Sequence, residues 1–316
     1  LQDVKIIFKE ERKALPDIQT DEVLLNEALN ELNSLIGMEE VKNEISETVK
    51  LVRFYREMGK DVLNKFSLHA VFTGNPGTGK TTVARIVAKI YKAIGILERG
   101  HLIETDRSGL VAGYIGQTAE KTMAAINAAI GGVLFIDEAY ALSSRGENDF
   151  GQEAVETLLK QMEDRRGQFV VIVAGYTDNM HKFLEMNPGL RSRFDRTIHF
   201  PDYRPEELVQ IGHQMLATEN LMPNEQAAKH LHQYINWMFN RRDKNFGNAR
   251  NVRKIIKEAI KNQHLRMASL SSAERSPEVL KSLEMPDVAE FSWEAPGSDQ
   301  QNANSIGFKY GAHGTP

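Results

Sequence analysis

The run Gly74-Asn75-Pro76-Gly77-Thr78-Gly79-Lys80-Thr81-Thr82 fits G-x-x-x-x-G-K-[ST], the pattern of a loop that cradles phosphate. Its flanks supply the context that the pattern requires. Leu68-His69-Ala70-Val71-Phe72-Thr73 reads as a short strand, and Val83, Ile86, Val87 and Ile90 fall at helical spacing after it. Glycines let the backbone bend so that successive N–H groups point at phosphate oxygens, and the following helix adds the positive end of its dipole. In that setting Asn75, Pro76, Gly77, Thr78, Gly79, Lys80, Thr81 and Thr82 are nucleotide-binding positions. Lys80 would be the point charge for the β- and γ-phosphates, and the Thr81 hydroxyl would be a ligand for Mg²⁺.

Beyond that helix, Leu102-Ile103-Glu104-Thr105 predicts a second strand, followed by a polar, glycine-rich segment that contains Gly113-Tyr114-Ile115-Gly116. Glycines framing an aromatic and a β-branched residue suit neither a helix nor a buried strand. Two readings stand for it: an exposed loop, or a turn whose tyrosine tucks into the core. Gly131-Gly132-Val133-Leu134-Phe135-Ile136-Asp137-Glu138 is an apolar run ending in two carboxylates, the pattern of a central parallel strand with acids at its carboxyl end. Asp137 is placed to hold Mg²⁺ through water, and Glu138 to polarise the attacking water. Phe169 to Ala174 is a further buried strand, and the polar residues after Gly175-Tyr176 face the same crevice. Arg191, Arg193 and Arg196 crowd one turn, which by charge pattern alone is a solvated basic turn. A last strand is expected over 196–200, and Pro201-Asp202-Tyr203-Arg204-Pro205 marks a boundary. Beyond it the pattern is wholly helical, over 206–217, 224–239 and 249–268. At the other end, Leu25, Leu29, Leu32 and Ile36 fall on one helical face, and a second helix runs through Ile45, Val49, Val52 and Phe54.

Composition narrows the class. The 316 residues, 41% apolar and 26% charged, are ordinary for a globular protein, and the net charge of −4 gives no general pull toward nucleic acid or anionic membrane. With no cysteine there are no disulfides or thiolate metal sites, which suits a reducing cytosol. The longest apolar runs are far short of a membrane span, so no membrane partner is expected. The chain opens on Leu1, which suggests trimming, and no signal peptide is apparent.

Strands alternating with helices, with acids and phosphate loop on one edge and helices after, imply an α/β class. The expected architecture is a three-layer P-loop nucleotide domain on a parallel sheet, followed by an α-helical lid. Residues from about 34 to 268 resemble AAA+ ATPases, and more narrowly their CbbX/CfxQ and SpoVK-like branch. The resemblance rests on Gly74 to Thr81, Tyr114-Ile115-Gly116-Gln117-Thr118, Phe135-Ile136-Asp137-Glu138-Ala139-Tyr140, Ala174-Gly175-Tyr176, Asn187-Pro188-Gly189-Leu190-Arg191-Ser192-Arg193-Phe194 and Gly247-Asn248-Ala249-Arg250. It implies an ATPase domain over 34–200 and a lid over 201–284; the helical pattern before them marks an N-terminal segment over 1–33, and the turn to Ser, Gly, Asn, Gln and Pro after them a flexible tail over 285–316.

The same resemblance implies roles. Ile36 and Gly37 would line the adenine pocket through their backbone. Tyr114, Ile115 and Gly116 would form a pore loop that grips an extended polypeptide. Arg193, with Arg191 second, would be a finger reaching the γ-phosphate of a neighbouring copy, and Arg250, with Arg253 as fallback, the second sensor in the lid. Many family members place Asn after the fourth strand, whereas this chain has Tyr176-Thr177, so Tyr176 is the candidate first sensor. The implied activity is hydrolysis of Mg-ATP in a cytoplasmic homo-oligomer, a hexameric ring that remodels a protein client. Two alternatives are a nucleic-acid-handling member, disfavoured by the uncharged Tyr114 loop, and a nucleotide-switched scaffold, disfavoured by the presence of Glu138 and Arg193. No metalloprotease or serine-hydrolase pattern accompanies the motor.

Overall fold

A computed structural model describes residues 18–58, 68–114, 116–143, 150–244 and 246–293. Five parallel strands form the centre: β1 (Ala70–Gly74), β2 (Leu102–Thr105), β3 (Val133–Ile136), β4 (Val170–Gly175) and β5 (Arg196–Phe200), in the order β2-β3-β4-β1-β5. The three inner strands are buried along their whole length, as continuous apolar runs require, and the two edge strands carry the partly exposed residues. Alternation sorts the side chains into two layers. Ala70, Phe72, Val133, Phe135, Val170 and Ile172 face one core, while Val71, Leu134, Ile136, Val171 and Val173 face the other.

The first core lies under α1 (Glu22–Ser34), α2 (Glu39–Glu57) and α3 (Lys80–Ala93), and it continues without a break into the lid through Leu208, Ile211 and Val252. The second lies under α5 (Thr118–Ala129), α6 (Gly151–Asp164) and α7 (Thr177–Glu185). A short α4 (Arg107–Leu110) follows β2, and α8 (Pro188–Arg193) precedes β5. The lid consists of α9 (Pro205–Thr218), α10 (Glu225–Asn240) and α11 (Ala249–Ser269), with short α12 (Pro277–Lys281) and α13 (Met285–Val288).

Four expectations change. Ile36 does not share the face of Leu25 and Leu32, because α1 ends at Ser34 and Leu35 already leaves the helix in an extended conformation. Phe54 is exposed although Val52 is buried, since residues two apart point to nearly opposite sides of a helix. The lid is not wholly helical: β6 (Met222–Pro223) pairs in parallel with β7 (Ser282–Leu283). The flexible tail does not begin at residue 285. Asp287, 1% exposed, takes both arms of the Arg266 guanidinium at 2.8 Å, and Val288 and Phe291 join the core. Those anchors are too sparse to show a period in a stretch dominated by polar residues. Residues 294–316 lie outside the described residues, as do 1–17 and Ile115.

Helix α1 is part of the body rather than an appendage. Asp21 caps its first turn by accepting from Leu24 N–H at 2.9 Å, and Leu25, Ala28 and Leu32 are buried against α3. Because Leu32 is fully buried, Leu32→Ala is expected to lower the unfolding free energy by about 3 kcal/mol in urea titrations. A loss below about 1 kcal/mol would mean that α1 is only loosely docked.

Candidate active site

The parallel sheet opens a cleft at the carboxyl ends of β1, β3 and β4, where an α/β fold of this kind places its ligands. The cleft is about 450 Å³ and is walled by the phosphate loop, the Asp137-Glu138 turn, the α1–α2 connection and the facing sides of α9 and α11. Its lining is partly apolar, with Leu35, Ile36, Met38, Ile211 and Met215, and partly charged or polar, with Lys80, Thr81, Asp137, Glu138, Arg250 and Arg253. Such a mixture suits a flat base joined to a polyphosphate.

The loop holds its own shape. Thr78 is fully buried and its hydroxyl donates to Asn75 O at 2.8 Å, so its side chain serves the loop rather than the cleft. Lys80 Nζ folds back on the loop and donates to Gly74 O at 2.9 Å and Asn75 O at 2.8 Å. Burial pulls the Lys80 ammonium from 10.5 down to about 8; the nearby Asp137 opposes that shift and Arg250 adds to it. Gly77, at φ +71°, admits the lid. A Cβ there would stand 2.1 Å from Gly247 O and 2.9 Å from Arg250 N, while Gly77 O accepts from Ala249 N–H at 3.2 Å.

The carboxylate pair is held as firmly. Asp137 N–H donates to Thr105 O at 2.9 Å, and Glu138 N–H donates to Asp137 Oδ1 at 3.0 Å. Glu138 sits at φ +49°, a left-handed conformation that costs a non-glycine residue about 1–3 kcal/mol and recurs at functional positions. Tyr140 keeps its proton beside that carboxylate: burial, then the charge of Glu138, pushes its hydroxyl up to about 12. Its ring lies 6.2 Å from that of Tyr176, which lines the cleft at the head of α7.

The sequence candidates divide by place. Ile36, Pro76, Gly77, Gly79, Lys80, Thr81, Thr82, Asp137, Glu138, Tyr176, Arg250 and Arg253 come together in the cleft. Gly37 sits beside the Glu207 carboxylate, and Asn75 turns its amide to Asp202 at 2.9 Å. Arg191 and Arg193 do not line the cleft: Arg191 pairs with Glu185 at 3.3 Å and Arg193 with Glu163 at 2.7 Å. Tyr114 is 75% exposed rather than tucked into the core. Sequence reasoning missed Met38, Tyr203 and Gln214 in the cleft wall, and Asp202 beside it. The one available signal was Asp202-Tyr203 between two prolines, which reads only as a boundary.

At pH 8 the free Lys80 is about half protonated, and phosphate drawn against it raises its affinity for a proton. Binding of ADP is therefore expected to take up a fraction of a proton at pH 8, and the uptake due to Lys80 to vanish toward pH 6, where the terminal phosphate itself titrates. Titration calorimetry in two buffers of different ionisation enthalpy reads this directly. Proton release or no exchange at pH 8 would contradict the placement of the ammonium.

Residues 70–202 match the model of the ATPase family associated with various cellular activities (AAA), and residues 204–299 match the AAA lid domain. Stage V sporulation protein K of Bacillus subtilis is 41% identical over 82% of this chain and 81% of its own. Protein CbbX of Cereibacter sphaeroides is 43% identical over 83% of this chain and 85% of its own. The chloroplastic ribulose bisphosphate carboxylase/oxygenase activase of Cyanidioschyzon merolae is 44% identical over 77% and 84%. A cleft built from a phosphate loop and closed by a matching lid thus coincides with extensive identity to such proteins, and the chain belongs to the AAA family of ATPases.

Proposed function

We propose that the protein works as a ring of identical copies, six in number, which hydrolyses ATP where two copies meet and uses the energy to remodel a protein client. The observation that carries this reading is the separation of the α8 arginines from the cleft of their own chain. Arg193 ends α8 with its side chain about a third exposed, where a second copy can be met. A cleft with base, cradle and carboxylates but no arginine from α8 is half of a site that two copies complete. Charge on the transferring phosphoryl group needs such a cation, whose contribution is about 10³- to 10⁵-fold in rate.

Within one copy, Ile36 and Gly37 flank the base, and the loop from Asn75 to Thr82 with Lys80 holds the phosphates. Thr81 and Asp137 would hold Mg²⁺. Among the described residues no cluster of three His, Cys, Asp or Glu forms a closed metal cage, and Mg²⁺ suits the open arrangement because it keeps waters and takes oxygens from substrate phosphates. When bound, it neutralises charge on those phosphates. Glu138 accepts the proton of the attacking water, Tyr176 senses the phosphate from β4, and Arg250, with Arg253 as fallback, reports nucleotide to the lid. Arg193 is the finger and Arg191 its substitute. We take 34–200 as the ATPase body and the segment from 201 as the lid.

The client contact is the Tyr114 loop, with Gly116 and with Ile115, which is outside the described residues. Tyr114 stands out beside two glycines with open surroundings, an aromatic grip without a cationic one. The nearby Lys121 gives its ammonium to Ser108 O and Val111 O, so a nucleic-acid track along this loop finds no support. The activase relative acts, by its name, on an enzyme, which favours a protein client. We place the protein in the cytoplasm; among the described residues no helix is long and apolar enough to cross a membrane.

Glu138→Gln and Arg193→Ala should each lower turnover by at least about 10². Mixed in equal amounts under subunit exchange, the two variants should recover part of the activity, because the first lends its arginine to the intact cradle of the second. A mixture as inactive as its parts would contradict a shared site. Tyr114→Ala should abolish client processing while sparing basal hydrolysis, and intact processing would rule out the grip.

A further inference from the structure

Asn248 is wholly buried at φ +46° and ψ −127°, a region in which glycine is the natural choice. Its side chain accounts for its presence there. Oδ1 accepts from Tyr203 N–H at 3.0 Å, and Nδ2 lies 2.8 Å from Asp202 Oδ1, 3.2 Å from Phe246 O and 3.3 Å from Pro76 O. The Asp202 carboxylate also accepts from Asn75 Nδ2, at 2.9 and 3.2 Å. Among the described residues Asp202 makes no ion pair within 4 Å, and two neutral amides donate to its carboxylate. One buried amide thus joins the phosphate loop, the chain leaving β5 and the head of α11.

These bonds form a continuous path. Lys80 Nζ binds Asn75 O, the Asn75 side chain binds Asp202, Asp202 binds Asn248, and Asn248 is followed two residues on by Arg250 in the cleft wall. A phosphate that draws the Lys80 ammonium away from Asn75 O alters the first link. We infer that Asn75, Asp202 and Asn248 form a latch between the phosphate loop and the lid, and that Asn248 is a positioning residue that sets Arg250 over the cleft. The inference rests on the proposed role of Arg250.

Asn248→Gly keeps the backbone at ease and removes only the amide, which makes it the informative change. The test is steady-state ATP hydrolysis by the full chain carrying Arg250→Ala, Asn248→Gly or both, with the thermal midpoint of each. Arg250→Ala is expected to lower kcat by about tenfold or more, Asn248→Gly to match it within about threefold, and the double variant to be no worse than either. Near wild-type turnover in Asn248→Gly, or losses that multiply in the double variant, would overturn the latch while leaving the role of Arg250 standing. Unimpaired Arg250→Ala would overturn both. Should Asn248→Gly fail to fold, Asp202→Ala takes its place in the same cycle with the same expected outcomes.

Discussion

The phosphate loop and the lid meet backbone to backbone, with no side chain between Gly77 and Gly247. That contact depends on what lies behind each partner. On one side is β1, buried along its length and paired with a strand on each flank. On the other is the head of α11, whose Val252, Ile255 and Ile256 belong to the same core as Phe72 and Ile86. Because one apolar core runs from the sheet into the lid, a change of lid angle must repack shared side chains instead of sliding over a wet seam. Close-packed interiors resist such change in small steps, which is why a small shift at the loop can become a discrete movement of the lid.

The chemistry occupies what this junction leaves open. Burial weakens the hold of Lys80 on its proton, and Asp137 and Glu138 strengthen it, so the cradle has a cation with little charge to spare. Glu138 is kept in a costly backbone conformation in the turn that follows β3, beside the protonated Tyr140 hydroxyl. Preorganised groups of this kind do not have to rearrange as charge develops, and that is where their value to a reaction lies. The α8 arginines are tied instead to Glu163 and Glu185 on the chain's own surface.

Much of this was legible in the residues. The loop pattern, the apolar runs of β1, β3 and β4 and the carboxylates after β3 each follow a rule of local spacing, and each element formed where that rule put it. What stayed hidden was long-range. Nothing in Asp202 or Asn248 distinguishes a polar residue at a boundary from one that bridges segments 172 positions apart, as Asn248 does with Pro76. Tyr203 reads as a turn residue until Met38 and Gly79 are found against it. Val288 and Phe291 reach their core beside Asp287, which Arg266 of α11 anchors, and Phe291 also meets His230 and Tyr234 of α10. Periodicity reports which face of an element is buried and not which distant segment buries it.

Amide hydrogen exchange of the protein, with and without ADP, tests most directly whether loop and lid act as one unit. Nucleotide should slow exchange over residues 74–82 and over residues 246–252 together, with the Ala249 amide, bonded to Gly77 O, among the most affected. Protection confined to the phosphate loop, with the head of α11 exchanging at its unliganded rate, would contradict it.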